Sequence, residues 1–180
     1  LNHWRTDTMQ MIVIFIIGVI LMYADMAFTG FSPMTMFGIE VYFVPKLLFM
    51  YILLLTIYAG PRISMLFAIL FGVMLDVYIG SLYGIHIFGF IAFVIFMQTA
   101  FRVFYRDFVA MAFVVLLNTF LFDLYQYAVY SVLDFIAMPF FDYIALRAIP
   151  SVLVSALFFV ILYVLAIQTA KVRKELRRIN

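Results

Sequence analysis

The sequence predicts an all-α polytopic membrane protein, a compact bundle of six transmembrane helices with both termini in the cytoplasm. Apolar residues make up 69% of the 180 residues and charged residues only 11%, whereas soluble domains average roughly 45–50% and 25%. Six apolar stretches reach about the 20 residues that a helical span requires. Lys and Arg are concentrated on one predicted side of the membrane. A soluble globular enzyme is therefore excluded.

The same composition excludes several other classes of protein. The 23 Phe and 12 Tyr residues are too many for a disordered chain. The absence of Cys excludes disulfide scaffolds, Cys-based zinc sites and thiol catalysis. A net charge of +2, without a basic stripe, is too small for a nucleic-acid-binding protein. We therefore expect no nucleic-acid partner and no cofactor.

The predicted spans follow one another with short connections. Their approximate limits are 9–28, 41–59, 63–80, 83–101, 108–133 and 144–170, and a basic tail, 171–180, follows the last span. Gly60-Pro61 separates the second and third spans, and glycines at 80 and 84 separate the third and fourth, because Gly and Pro interrupt helices. The longer breaks, 29–40 and 134–143, combine a proline with large apolar residues, so we expect them on the membrane surface.

The distribution of Lys and Arg predicts the orientation. With both termini in the cytoplasm, nine of the eleven basic residues lie on the inner side, and only Lys46 and Arg147 lie outside. Cytoplasmic segments of membrane proteins carry this excess. We expect the basic tail to contact anionic inner-leaflet lipid or a cytoplasmic protein through Lys171, Arg173, Lys174, Arg177 and Arg178.

Three acidic residues fall within predicted spans, where a charge needs a partner or water. Asp25, Asp76 and Asp123 all lie in the predicted outer half of the membrane, as do the two outer cations Lys46 and Arg147. We hypothesise that these cations pair with the acids near the outer interface. Alternatively, Asp25 and Lys46 simply lie among the lipid headgroups.

Two spans carry patterned small or polar residues. Small residues recur every four positions in the third span, which places them on one ridge that suits close packing within the chain or against a partner's helix; the ridge and its continuation are Ser64, Ala68, Gly72, Asp76, Gly80 and Gly84. The fifth span has a polar face that includes Asp123 and Gln126. This face either lines a cavity or bonds neighbouring helices. Together the acids, the outer cations and Gln126 form a predicted intramembrane polar network.

The residues supply little support for catalysis. His86 has no neighbouring ligand at metal-binding spacing, and phosphate-loop and serine-hydrolase motifs are absent. Two intramembrane Asp residues acting as a protease dyad would need their carboxylates about 3 Å apart, and no flanking motif supports that. We expect neither catalytic nor metal-binding residues.

The order of several short motifs resembles the MreD family of bacterial rod shape-determining membrane proteins. The signature region is similar over Phe71-Gly72-Val73-Met74-Leu75-Asp76, Gly80-Ser81-Leu82-Tyr83-Gly84 and Phe88-Gly89-Phe90. Val44-Pro45-Lys46 resembles a Val-Pro-Arg segment at a helix start in some members, and Arg147-x-Ile149-Pro150 and the basic ending are also similar.

The resemblance implies a non-enzymatic scaffold of the cell-elongation, peptidoglycan-synthesising machinery in the bacterial cytoplasmic membrane. Members of this family pair with MreC, a bitopic protein with its bulk outside the membrane. Their complex connects MreB filaments to the RodA glycosyltransferase and its transpeptidase. An MreC-like partner would then contact the ridge or the polar face. The alternative, from another class, is the small-solute-binding subunit of an energy-coupling vitamin transporter, in which the polar face would line a pocket.

Overall fold

A computed structural model describes residues 2–79, 81–104 and 107–178 of the chain, with side chains over 7–79, 81–100 and 107–169. Within these ranges the secondary structure is helical except for one hairpin. The elements in chain order are α1 (Asn2–Phe31), β1 (Met34–Met36), β2 (Ile39–Val41), α2 (Leu47–Tyr58), α3 (Pro61–Ile79), α4 (Ile85–Phe104), α5 (Phe108–Val132), the single turn α6 (Phe140–Tyr143), a π-helical turn (Ile144–Ala148) and α7 (Ile149–Arg178).

Helix α2 is the centre of the bundle. Ten consecutive residues, Leu47 to Thr56, are buried, and α2 contacts α1, α3, α4, α5 and α7. A helix that is apolar all round is expected to be buried in this way. It begins at Leu47, later than the predicted limit of 41, because Val41 belongs to β2 and Pro45 disfavours helix before it.

Four helices are long and apolar enough to cross a membrane. They are Asp7–Phe31, Pro61–Ile79, Phe108–Val132 and Phe140–Thr169, whereas Leu47–Tyr58 and Ile85–Ala100 are shorter apolar helices. The 12 residues of α2 extend only about 18 Å at 1.5 Å per residue, less than a hydrocarbon core of about 30 Å. All six predicted spans therefore contain a helix, but over the described residues only four of these helices are long and apolar enough to cross the membrane.

The segment after α1 folds into a small antiparallel hairpin. Met34 pairs with Val41 and Met36 with Ile39, and both turn residues, Phe37 and Gly38, have positive φ. Two such residues give the turn type that matches the twist of paired strands. Phe37 is fully exposed at the tip. The hairpin occupies the break that we predicted to lie on the membrane surface.

The first part of α1 and the last part of α7 lie at the same end of the bundle. Gln10, near the start of α1, donates from Nε2 to the carbonyl oxygen of Thr169 near the end of α7 at 3.5 Å. The opposite end therefore collects the ends of α1, α3 and α5 and the starts of α2, α4 and α7. This opposite end, called here the polar end, holds the candidate site.

Aromatic packing joins the central helix to its neighbours just inside the polar end. The Phe49 ring of α2 stacks on the Phe122 ring of α5 at 4.5 Å between centroids, and it contacts Phe90 and Phe93 of α4 at 5.5 and 5.6 Å. Stacked and edge-on rings stabilise such a core beyond their buried area. This cluster forms an apolar floor beneath the polar residues.

Candidate functional site

A chain of buried polar side chains crosses the polar end from α3 to α5. Asp76 Oδ1 lies 2.9 Å from His86 Nδ1, and His86 Nε2 lies 3.2 Å from Gln126 Nε2. Lys46 Nζ continues the chain, 2.7 Å from Gln126 Oε1 and 3.1 Å from Asp123 Oδ1. The polar chain Asp76–His86–Gln126–Lys46–Asp123 thus links α3, α4, α5 and the start of α2 with uninterrupted contacts.

The donors and acceptors along this polar chain are mutually consistent. Lys46 donates to Gln126 Oε1 and to Asp123, which leaves the Gln126 amide group to donate to His86 Nε2. His86 then donates from Nδ1 to Asp76, so a neutral imidazole satisfies both neighbours. A satisfied buried network of this kind fixes the positions of the elements that it joins.

Asp76, a residue of α3, also caps the start of α4. Its carboxylate accepts hydrogen bonds from the backbone N–H groups of Gly84, His86 and Ile87 at 2.9, 3.0 and 3.2 Å. The first N–H groups of a helix lack intrahelical partners, and a carboxylate complements the positive end of the helix dipole. The short turn between α3 and α4 brings Asp76 to this position. Asp76 therefore joins the end of α3 to the start of α4, the helix that follows it in the chain.

Asp25 performs the same task for α2. Its two oxygens accept from the backbone N–H groups of Leu47 and Leu48 at 2.9 and 3.0 Å. Lys46, at the N-cap position, makes no capping bond with its own side chain. The acid near the end of α1 thus supplies the cap that the local sequence lacks, by the same capping geometry as Asp76 at α4.

The hypothesis that the outer cations pair with the three acids holds for one ion pair and needs correction for the rest. Lys46 pairs with Asp123. Asp76 instead pairs with His86, because the tight α3–α4 turn places the imidazole beside it. Asp25 is occupied by backbone N–H groups. Arg147 takes part in neither of the ion pairs found among the described side chains.

Arg147 lies beside the polar chain without joining it. Its guanidinium carbon is 5.6 Å from the centroid of the Tyr143 ring. Its Nε atom is buried and has no hydrogen-bond partner among the described residues, and the same is true of Asp123 Oδ2. The residue lies in the π-helical turn before α7. Such turns occur frequently at functional sites.

His86 is the member of the polar chain that the sequence analysis missed. In the sequence, His86 is a histidine without a second ligand at metal-binding spacing, so no role was predicted for it. The available signal was its position in the first turn of a helix that follows Asp76 after a short glycine-containing turn. An acid at the end of one helix and a histidine at the start of the next come together when the helices are antiparallel neighbours.

The small-residue ridge of α3 faces the interior of the chain. Ser64 and Ala68 are fully buried, and Ser64 Oγ contacts Thr56 Oγ1 at 2.5 Å and donates to the Ile52 carbonyl of α2 at 3.0 Å. A Cβ atom on Gly72 would lie 2.8 Å from Ile87 Cα of α4. The described part of the ridge therefore packs against α2 and α4.

Two glycines of the predicted ridge lie beyond the packed part. Gly84 adopts a φ of +101° in the turn before α4, a conformation that favours glycine. Gly80 lies outside the described residues. The ridge thus ends in the turn that brings Asp76 to α4.

The polar face of α5 divides into two parts. Asn118 and Thr119 donate to carbonyls of the preceding turn of the same helix. Asp123 and Gln126 instead reach Lys46 and His86 on other elements. Asn118 also contacts Met97 Sδ of α4 at 3.8 Å, but only the second part contributes to the polar chain.

The basic tail continues α7. The backbone of this helix is described to Arg178. The side chains of Lys171, Arg173, Lys174, Arg177 and Arg178 lie outside the described ones. The expected contact of the tail with lipid or protein stays a prediction.

A cavity of about 720 Å³ opens beside the polar chain. Lys46, His86, Gln126 and Arg147 contribute polar groups to its wall, and aromatic rings, among them Phe122, contribute apolar surface. Its volume falls within the range of small-molecule sites, roughly 300–1,000 Å³. The polar end thus combines a fixed hydrogen-bond network with open space.

The described side chains of the polar end form neither a hydrolytic triad nor a metal-binding cluster. His86 Nε2 faces the Gln126 amide and not a hydroxyl nucleophile, so the Asp76–His86 pair lacks the third member of a hydrolytic triad. Asp76 and Asp123 stand at opposite ends of the polar chain, so they are not placed to share a proton. No cluster of three or more metal-ligating side chains occurs among the described residues. The hydrogen bonds serve mainly to join helices.

The family of the chain follows from comparison with known proteins. A family profile described as rod shape-determining protein MreD matches residues 8–171. The chain belongs to the MreD family. The match includes both capping acids, the polar chain and Arg147, so all residues of the polar end lie within the MreD region. Comparisons with curated proteins and with solved structures gave no match.

Membership of the MreD family gives the general role of the chain. It is a membrane protein of the system that determines rod shape in cells. The apolar helices agree with that location. The family is not one of known enzymes.

Proposed function

We propose that this chain is a non-enzymatic scaffold of the bacterial cell-elongation machinery that binds the transmembrane helix of an MreC-like partner. The observation that carries the proposal is the family match over residues 8–171. Through this partner, the chain acts with a RodA-type glycosyltransferase, its transpeptidase and MreB filaments. It lies in the cytoplasmic membrane with both termini and the basic tail inside, so that the polar end faces outward.

The construction of the polar end supports a scaffold. Asp25 and Asp76 each fasten the start of one helix to the end of another, and Lys46 ties α2 to α5. These bonds fix helices relative to one another, which a protein needs when it presents a constant surface to a partner. The bonds therefore maintain the surface, while the partner contacts other residues.

The partner's helix must contact an outer face of the bundle. Most of the residues suggested from the sequence are buried within this chain, namely Ser64, Ala68, Gly72 and Asp76 of the ridge and Asp123 with Gln126 of the polar face. Large apolar side chains instead point outward from α1, α3, α4, α5 and α7. We therefore place the contact on one of these five faces.

Cysteine crosslinking in membranes tests this placement, because the chain has no Cys of its own. Single Cys residues sample the five faces at Ile12, Val73, Phe96, Phe113 and Leu157, which are 51%, 42%, 50%, 66% and 77% exposed. Val94→Cys is the buried control, since Val94 is 0% exposed. We expect crosslinks to a Cys-bearing MreC-like helix on one face only. Failure of the partner to co-purify, together with no crosslink on any face, would contradict the proposal.

The cavity favours one second candidate, the small-solute-binding subunit of an energy-coupling vitamin transporter. Its volume and mixed wall suit a small solute. Thermal stabilisation of the purified protein across a panel of vitamins distinguishes the two functions. Stabilisation by one vitamin, without retention of an MreC-like partner, would favour the transporter subunit.

A further inference from the structure

The cavity at the polar end has an unusual balance of charged groups. Asp25, Lys46 and Arg147 are the charged residues of its described wall. Asp25 already accepts two backbone hydrogen bonds, and Lys46 is held by Asp123 and Gln126. Arg147 interacts with Asp123 only at longer range and makes no ion pair within 4 Å among the described side chains. The cavity therefore presents one positive group that no ion pair holds.

An uncommitted guanidinium in a mostly apolar site is costly unless something pairs with it. The Tyr143 ring covers one part of Arg147, and its buried Nε makes no hydrogen bond within the described chain. A guanidinium offers parallel N–H donors that match the oxygens of a phosphate or a carboxylate. Arg147 thus has the chemistry of an anion-binding group and a buried donor that no described residue satisfies.

The rest of the wall indicates the remaining part of the ligand. Phe49, Phe90 and Phe122 line the cavity together with Leu75 and Ile79. This apolar surface suits a hydrocarbon or an aromatic group. Gln126 and His86 already make hydrogen bonds within the polar chain. An occupant that satisfies both parts of the wall carries an anionic head and an apolar body.

We propose that this cavity binds an anionic amphiphile, with its phosphate or carboxylate group on Arg147 and its apolar part along the Phe90–Phe122 wall. The nearby ammonium of Lys46 adds to the attraction. The site goes beyond the scaffold role, because the buried Phe90 and Phe122 that it uses are not among the outward-facing side chains assigned to a partner helix. An acidic phospholipid and a water-soluble anion are the two sources of this chemistry.

Thermal stability and native mass spectrometry of the purified full-length protein test the site. The probes are dioleoyl phosphatidylglycerol, dioleoyl phosphatidylcholine and glycerol phosphate, added in a non-ionic detergent. We expect phosphatidylglycerol to stabilise the protein more than phosphatidylcholine does. Stabilisation by glycerol phosphate at similar concentration identifies a soluble anion as sufficient, whereas stabilisation by phosphatidylglycerol alone identifies the lipid.

Two matched variants assign the binding to Arg147. Arg147→Gln removes the cavity cation, and Arg62→Gln removes an exposed cation at the opposite end of the bundle. We expect Arg147→Gln to weaken phosphatidylglycerol binding roughly tenfold or more, the effect of losing a charged hydrogen bond, and Arg147→Lys to restore part of it. Equal binding by wild type, Arg147→Gln and Arg62→Gln would overturn the proposal.

A third variant keeps the test decisive if Arg147→Gln does not fold. Gly30 lines the cavity, and a Cβ atom there meets nothing within 4 Å. Gly30→Trp therefore adds an indole at the cavity wall without altering a charge. We expect this variant to retain stability and lose the lipid adduct. An adduct that persists in Gly30→Trp would place the lipid elsewhere and refute the proposed site.

Discussion

Lys46 Nζ lies 3.1 Å from Asp123 Oδ1, and this ion pair joins the start of the central helix to α5. The two side chains are 11% and 1% exposed, so water screens the pair little. Gln126 accepts a second hydrogen bond from the same ammonium at 2.7 Å. Lys46 is therefore the point at which the polar chain is attached to α2.

Removal of the lysine charge is the most damaging single change that we expect at the polar end. Lys46→Met removes the ion-pair partner of the buried Asp123, and loss of one partner of a buried pair costs about 3–5 kcal/mol. The double variant Lys46→Met/Asp123→Asn removes both charges and recovers part of that loss. Unfolding in mixed micelles measures the four free energies of the cycle. Additive effects of the two substitutions would contradict the coupling.

A single added methyl group distinguishes the packed glycine of α3 from an open one. Gly72→Ala places Cβ about 2.8 Å from Ile87 Cα, which forces the α3 and α4 backbones apart and costs about 1–3 kcal/mol. Gly30→Ala is the control, because a Cβ there has open space. Thermal unfolding in detergent compares the two variants. The interpretation fails if both are equally stable.

The acid that caps α4 is expected to contribute more to stability than an exposed acid does. Asp76→Asn exchanges one accepting oxygen for an amide group, which cannot accept hydrogen bonds from Gly84, His86 and Ile87 together. Loss of these charged hydrogen bonds costs about 2 kcal/mol. Asp142→Asn serves as the exposed control. Chemical unfolding followed by Tyr fluorescence measures both, and an equal effect of the two changes would argue against the cap.

Side-specific labelling tests the orientation. Thr35 in the hairpin and Arg62 at the start of α3 are both exposed, and they lie at opposite ends of the bundle. With the termini in the cytoplasm, an impermeant maleimide added to intact spheroplasts labels Thr35→Cys and leaves Arg62→Cys unlabelled. Lysed spheroplasts, where both positions react, provide the control. Labelling of Arg62→Cys in intact spheroplasts would reverse the topology.

Much of the helical pattern was predictable from residue type alone. The turn residues before Pro61 and around Gly84 place the start of α3 and of α4 within two residues of the predicted limits. The start of α2 was predicted too early, because an apolar stretch does not distinguish an extended segment from a buried helix. The hairpin was missed for a related reason, since its turn uses Phe37-Gly38 instead of the usual Asn-Gly or Asp-Gly pair.

The candidate site was predictable in its members and less so in its connections. Charges within a membrane span are costly unless they have partners, so Asp25, Asp76 and Asp123 were predictable members of the site. Which group each acid meets depends on distances of a few ångströms between helices. Asp25 and Asp76 meet backbone N–H groups, and a backbone partner leaves no trace in the identity of a residue.

The sequence by itself determined that this protein belongs in a membrane, that it is helical, and which few polar residues had to find partners there. These properties follow from composition and from periodicity along a single helix. Only the tertiary structure decided that Lys46 pairs with Asp123, that His86 completes the polar chain, and that Arg147 lines a cavity without joining an ion pair among the described side chains. Such pairings arise from the relative placement of helices distant in the chain, and small residues such as Gly72 determine how closely those helices approach.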